Sequence, residues 1–462
     1  VTTPKVRVTR TAWLLAALAV ALRLAVFACG PAFDINRAFY PDSTRYVVLA
    51  DQLAAHGLFS HPLDTGGVIL KPLAELRIER GEMEPSDRRG LQPEILRTPG
   101  YPALLAALHW TSRPLHALLI LQCLLSGAMV LLVFDLSLQL TQSPRVATLA
   151  ALILALSPGD IVAACSVLTE TAFAFLFLLS VWLAVRWRPR FVAGGMGGFL
   201  LGIATLVRPV GMLLAPALSM WMLATNRSWK SLAAAAIVSL ASFVPVGLWM
   251  VRNHAVGYGY QLSCVGPFNN YFKNLAYMRM LRAGQDYERD WPAVADQLFV
   301  ELRANLHPGE DSFHAMNRLF RAQLQRDPMA YATVHADSAI RLFTDHSVMA
   351  LFAKFGLVYQ PAGLRAAILG GGAFHWPTGV NGLGLALGLA WFAFNSLIAL
   401  LMVLGLLILL LRRRHAASLL LAGLILYFVL VTQIHGAERL RVPFMGIQAI
   451  AAAAVLAPRR SP

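Results

Sequence analysis

An all-α polytopic membrane protein is the fold class this sequence predicts, and three observations carry it. Hydrophobic residues make up 57% of the 462 positions and charged residues only 14%, where a soluble domain carries nearer about a quarter. Mean hydropathy is +0.60. Apolar runs that approach the roughly 20 residues needed to cross hydrocarbon recur along the whole chain, with arginines gathered in the short connections.

Taken in order, spans are expected near 11–29, 114–139, 145–158, 167–186, 191–207, 209–225, 230–251, 380–411, 416–434 and 441–458, about ten in all. The third and fifth are short. Lys5, Arg7 and Arg10 precede the first run, which resembles a signal peptide. Phe27-Ala28-Cys29 puts a bulky side chain where lipoprotein cleavage wants a small one, so an uncleaved signal anchor is expected. Val1 in place of Met reads as an alternative start codon and points to a bacterial source.

With the amino terminus cytoplasmic, Arg186 to Arg190, Arg227 with Lys230, Arg412 to Arg414 and the terminal Arg459-Arg460 all fall inside. The carboxyl terminus is then cytoplasmic as well. Five units follow: a first helix (1–29), a first outer loop (30–113), a bundle (114–251), a second outer segment (252–379) and carboxyl-terminal spans (380–462). In the first loop, Tyr46, Leu49, Ala50 and Leu53 share one face of a stretch from Asp42 to Leu58, as an interfacial helix requires. The second outer segment reads as mostly helical, with helices over Phe313–Leu324 and Pro328–Phe343, Pro328 suiting a first turn.

The formal charge of +15 is scattered along the chain, which favours membrane flanks over nucleic acid. Cys29, Cys123, Cys165 and Cys264 have neither metal-ligand spacing nor the pattern of a disulfide framework, although Cys165 and Cys264 both fall near the outer face. No Gly-rich phosphate loop, H-E-x-x-H or nucleophile elbow occurs, which argues against nucleotide chemistry on the cytosolic side. Span interiors hold little charge beyond Arg23 and Asp135, each within reach of a span end. That count, with no inverted repeat, argues against a transporter.

Polar residues collect on the outer side: Asp42, Arg45, Arg97, Glu170, Arg208, Arg252, His435, Glu438, Arg439 and Arg441. Each has a structural alternative. Asp42 precedes a helical run and suits an N-cap. Arg45 and Arg252 suit snorkelling anchors, and Glu170 suits the positive end of a helix dipole. Tyr40, Tyr46 and Tyr101 suit interfacial anchors. Arg208, wedged between two apolar runs, has little water to reach.

The strings YPDSTRY, LADQLAAHG, RTPGYPALLAAL, LTETAFAFL, GIATLVRPVG, WMVRNH and ERLRVPF stand in an order that resembles the GT-C glycosyltransferases. The resemblance is to the bacterial branch related to dolichyl-phosphate-mannose protein mannosyltransferases and the lipid A aminoarabinose transferase, and it extends from the first helix to about Phe444. It implies a GT-C-like fold in a bacterial inner membrane. The implied activity is transfer, with inversion, of a sugar from a polyprenyl-phosphate carrier to an envelope lipid, glycan or protein on the periplasmic face.

By the same matching Asp42 is the base and Glu170 a second acidic group that orients the acceptor or pairs with an arginine. Arg208 and Arg439 or Arg441 hold the donor phosphate, and Arg97 shapes the site. Tyr46, Tyr101, Arg252, Glu438 and His435 are expected around the substrates. Some relatives place two acids together in the first loop, whereas here Asp42 is followed by Ser43 and the next carboxylate is Asp34, which puts a first-loop metal in doubt. His435 with Glu438 makes half of a divalent metal site, and a closed site needs more ligands. A polysaccharide ligase using a diphosphate-linked donor would use a similar site.

Overall fold

In the computed structural model, which describes residues 9–62, 67–81, 91–186, 191–285, 287–357, 380–432 and 438–458, the apolar runs fold as helices close to their expected limits. The bundle contains α1 (Arg10–Cys29), α5 (Pro114–Thr141), α6 (Pro144–Ala155), α7 (Pro158–Ala164), α8 (Glu170–Arg186), α9 (Phe191–Val207), α10 (Leu214–Thr225) and α11 (Trp229–Ala255). The carboxyl-terminal part adds α18 (Val380–Leu411), α19 (His415–Val431) and α20 (Met445–Ala453). The described residues meet the expected count of about ten spans only in part. Among the described residues five helices are long and apolar enough to cross a membrane, and six if the pair α6–α7, bent by 54°, is one broken span. Three shorter apolar helices, Phe191–Val207, Pro209–Thr225 and His415–Val431, stand at the lower limit of the length needed to cross hydrocarbon. With several spanning helices, the protein is a multi-pass membrane protein.

Two sites of close packing shape the bundle. A Cβ on Gly202 of α9 would lie 2.4 Å from the Ser242 carbonyl of α11, so this glycine lets the two backbones approach as small residues do between membrane helices. Arg23, expected within reach of a span end, is fully buried. Its Nη2 reaches Asp160 Oδ2 at 2.7 Å, and its nitrogens donate to the carbonyls of Ala155 and Leu154 at the end of α6. Ser126 Oγ also donates to Asp160. This ion pair therefore satisfies the carbonyls freed at the α6–α7 bend, and removing either partner would strand the other charge at a cost of about 3–5 kcal/mol.

The first polar segment lies against one end of the bundle. It contains α2 (Ser43–His56), β1 (Ser60–Pro62), α3 (Gly67–Glu79), β2 (Leu91–Pro93) and α4 (Gly100–Ala106). The strands form an antiparallel pair with Ser60 opposite Pro93, a small ribbon that hydropathy did not foreshadow. In α2 the expected face is buried at Tyr46, Leu49 and Ala50, with Leu53 partly exposed. The second polar segment is helical as expected. After α12 (Val265–Asn269) a π-helical turn, Asn270–Leu275, runs into α13 (Ala276–Ala283), followed by α14 (Tyr287–Ala304), α15 (Ser312–Arg326), α16 (Pro328–Thr344) and α17 (Val348–Lys354). Pro328 does occupy the first turn of α16. The helices α12 to α16 share a core of their own with α3, built around Tyr271, Phe272, Leu298 and Met316, whereas Val348 and Phe352 of α17 pack with Val162 and Trp391. All four cysteines are free.

Candidate functional site

Asp42 takes its place because the chain on either side of it is bolted to the loop that precedes α8. Ser43 Oγ accepts from the Tyr40 amide at 2.8 Å and donates to the Val167 carbonyl at 2.8 Å. The Val167 amide in turn donates to the Ala38 carbonyl at 2.9 Å. Ser43, which stands where some relatives carry a second acid, is thus a fully buried fastener between the first loop and Thr169-Glu170. Asp34, the carboxylate nearest to Asp42 in the sequence, caps a short 3-10 turn over Ile35–Ala38 and lies outside the cluster.

The Asp42 side chain makes no capping hydrogen bond to α2. Arg97 Nη2 donates to Oδ1 at 2.6 Å and Arg439 Nη1 to Oδ2 at 3.2 Å, from positions 55 and 397 residues away. Burial alone would raise the Asp42 pKa, but Arg97 and Arg439 outweigh it and hold the carboxyl at about 2. The side chain remains 27% exposed, so an entering group can reach it.

Glu170 opens α8 and is 2% exposed. Its Oε1 lies 2.7 Å from Arg208 Nη1, which also donates to Thr169 Oγ1 at 2.8 Å. Arg208 sits at the break between α9 and the following 3-10 turn, extended at φ −142°. Gly100 brings this corner to Arg97: a Cβ there would lie 2.6 Å from the backbone of Leu206 and Val207. Glycine therefore lets α4 touch the end of α9, two residues before Arg208. The fields of Arg208 and Glu170 reach Asp42 and Arg439, respectively. Three arginines against two carboxylates leave the cluster one positive charge in excess.

Glu94, which motif reading did not single out, fixes the approach of Arg97. It is fully buried. Its Oε1 accepts from the amides of Ile95, Leu96 and Arg97 at 3.0, 2.6 and 2.9 Å, and its Oε2 from Arg45 Nε at 2.6 Å. Arg45 and Arg252 both serve this loop. Arg252 Nη1 donates to the Glu94 carbonyl and Nη2 to the Phe59 carbonyl, each at 2.8 Å, while its guanidinium lies over Trp249. Arg252, expected near the substrates, is instead tied to the loop backbone.

The other expected residues separate sharply. Arg441, 2% exposed, turns away from Asp42 and donates to Glu438 Oε1 at 2.8 Å and the Phe343 carbonyl at 2.9 Å. Glu438 is engaged on all sides: Oε1 also accepts from Trp391 and Asn395, and Oε2 from the Ser347 amide. A Cβ on Gly159 would come within 2.7 Å of that carboxyl. Glu438 is therefore a fully bonded structural acid with no room for substrate. Tyr101 is fully buried, its hydroxyl donating to Gln122 Oε1 at 2.8 Å. Tyr46 packs edge-on against Tyr101 and beneath Arg97, which stands 5.5 Å from its ring centre. Both tyrosines support the site from below. His435 lies outside the described residues. Among those that are described, no three His, Cys, Asp or Glu residues gather as metal ligands.

Residues 98–249 match the family model described as dolichyl-phosphate-mannose-protein mannosyltransferase. This segment, about a third of the chain, is similar to that family. The family is the one its motifs resemble, and the matched residues include Gly100, Glu170 and Arg208 but not Asp42, Arg97 or Arg439. No curated protein matches the sequence. Among solved structures, the chain is similar to the archaeal oligosaccharyltransferase AglB of Archaeoglobus fulgidus in complex with an inhibitory peptide and a dolichol-phosphate. Identity is 13% and TM-score 0.47, over 96% of this chain and 50% of that one. A structure of the Archaeoglobus fulgidus oligosaccharyltransferase with Zn and sulfate matches at 14% and 0.47, over 95% and 48%. The chain spans about half the length of these structures.

Proposed function

We propose that this protein transfers a sugar from a polyprenyl-phosphate carrier to an envelope acceptor at the periplasmic face of a bacterial inner membrane, with inversion. One observation carries the reading: a carboxylate held between Arg97 and Arg439 beside the Arg208–Glu170 pair, at the end of an apolar bundle. Half-buried guanidiniums in excess over carboxylates suit a lipid phosphate, which they can grip by charge-assisted hydrogen bonds. In this reading the outer loop (30–113) and the second segment (252–379) face the periplasm and enclose the site.

The chemistry follows from the charges. The acceptor hydroxyl attacks the anomeric carbon from the face opposite the phosphate, and the C–O bond to phosphate breaks with its electron pair leaving on the phosphate oxygen. The hydroxyl proton passes to Asp42. A carboxyl with pKa about 2 is a weak base toward a free alcohol. It is sufficient here because the attacking oxygen becomes strongly acidic as its new bond forms. Arrival of the donor phosphate also draws Arg97 and Arg439 away from Asp42, which raises the basicity of the carboxylate when it is needed. The arginines then stabilise the departing phosphate, so no general acid is required.

Full-length protein in liposomes, supplied with radiolabelled polyprenyl-phosphate sugars, should transfer label to an extracted envelope acceptor. Cells lacking the protein should lose the corresponding glycan. An absence of transfer from every lipid-phosphate sugar, together with unchanged glycans, would overturn the proposal.

A further inference from the structure

Arg45 and Glu94 tie the two halves of the site together. Arg45 lies in the first turn of α2, just after Asp42, and the Glu94 carboxylate collects the amides of the loop that carries Arg97. Arg45 Nε donates to Glu94 Oε2 at 2.6 Å, and its Nη2 lies 2.7 Å from Nε2 of His61, a buried residue of β1 paired with Gln92 of β2. Arg45 Nη1 has no partner among the described residues, so these two contacts fix the guanidinium. A guanidinium can only donate. His61 Nε2 must therefore present a lone pair, which leaves the ring proton on Nδ1, 2.9 Å from the Pro62 carbonyl. The hydrogen-bond network thus assigns one tautomer of the neutral ring and excludes the imidazolium.

We infer that His61 is a positioning residue, whose unprotonated Nε2 keeps Arg45 on Glu94 and thereby keeps Arg97 against Asp42. The inference rests on the proposed function. A proton on Nε2 would set two donors of like charge 2.7 Å apart, while Glu94 Oε2 stands 3.9 Å from the same nitrogen. The imidazolium then competes with Arg45 for that oxygen and draws the carboxylate toward β1. Glu94 Oε1 leaves the Arg97 amide as it moves, and Arg97 loses its aim at Asp42 and at phosphate. A misplacement of ~1 Å in a catalytic site costs on the order of 10²-fold in rate. The charged groups that face the ring are Arg45 from α2 and Glu94 from the segment after β2. Burial lowers the His61 pKa, Arg45 acts in the same direction and Glu94 opposes them. The ring is accordingly neutral at pH 7 and takes a proton only below about 6.5. Neither carboxylate of the relay titrates in that range: burial would raise the Glu94 pKa, but Arg45 outweighs it, and Asp42 is held at about 2.

The test is the pH dependence of sugar transfer by the full chain in liposomes, between about pH 4.5 and 8. In the unmutated protein kcat/KM should fall at least about tenfold on the acid side. His61→Gln puts an amide oxygen near the place of Nε2, where it accepts from Arg45 and cannot be protonated. That variant should stay within about threefold of wild type near pH 7.5 and lose the acid limb. His61→Leu offers no acceptor and should be impaired on the order of tenfold at neutral pH. An acid limb that survives in His61→Gln, a flat profile in the unmutated protein, or wild-type activity in His61→Leu overturns the inference and leaves the proposed function standing. No transfer by the unmutated protein at any pH overturns that function and the inference with it. Hydrogen exchange needs no variant: protection of the Ile95, Leu96 and Arg97 amides, corrected for intrinsic rates, should fall several-fold between about pH 7.5 and 5. Constant protection there also overturns the role of His61.

Discussion

Asp42→Asn separates the two jobs assigned to this carboxylate. The substitution keeps the size of the side chain and removes its charge, so the cluster of three arginines and two carboxylates gains one positive charge in excess. Asn Oδ1 can still accept from Arg97, but its amide nitrogen would then face Arg439 Nη1, a donor against a donor now 3.2 Å from Oδ2. Freed of that partner, Arg439 should grip phosphate more strongly. The displacement of the Asp42 pKa from 3.8 to about 2 corresponds to an ion-pair stabilisation of about 2 kcal/mol, of which half would tighten donor binding roughly fivefold. Loss of the base should lower kcat by about 10²–10⁴. The expected result in reconstituted transfer is therefore opposite movement, a collapsed kcat with an unchanged or smaller KM for the lipid-linked sugar. A variant that keeps more than a tenth of wild-type kcat would remove Asp42 as the base. A raised KM with intact kcat would show instead that it merely braces the arginines.

Three further outcomes follow from the same geometry. Arg439→Gln should lower kcat/KM by on the order of 10²-fold, whereas Arg441→Met should lower thermal stability with KM unchanged, because of these two arginines Arg439 reaches Asp42 and Arg441 reaches Glu438; parallel kinetics and melting curves read both. Gly100→Ala should cut transfer at least tenfold without unfolding the bundle, since the added methyl must push α4 from Leu206 and Val207 and carry Arg97 off Asp42; full activity would show the corner to be compliant. The depressed pKa of Asp42 means that its stabilising effect is present above the unfolded value near 4 and is lost as pH falls through about 2. The free enzyme should accordingly show no acid limb in kcat/KM from Asp42 between about pH 5 and 8, while Arg97→Gln raises that pKa.

Much of this molecule was legible one residue at a time. Runs such as Pro114–Thr141 and Trp229–Ala255 declare helices because hydrocarbon tolerates no unpaired backbone, and their limits fall within a few residues of expectation. The number of crossings was less legible. Hydropathy reports apolar content, and a run broken by Arg208-Pro209 or bent at Ser157-Pro158 is as apolar as a straight one. Asp42, Arg97, Glu170 and Arg208 were readable as groups too polar for their surroundings.

By itself, then, the sequence determined the membrane class, the helices and the supply of charged groups at their ends. Tertiary structure decided which charges meet. Arg439 and Arg441 are two apart at a 3-10 turn, where each residue rotates by about 120°, so one faces Asp42 and the other Glu438, a choice that composition cannot make. Glu94 was invisible for a similar reason. A carboxylate that collects three backbone amides acquires its role from the path of the chain, and that path is fixed only when distant segments pack.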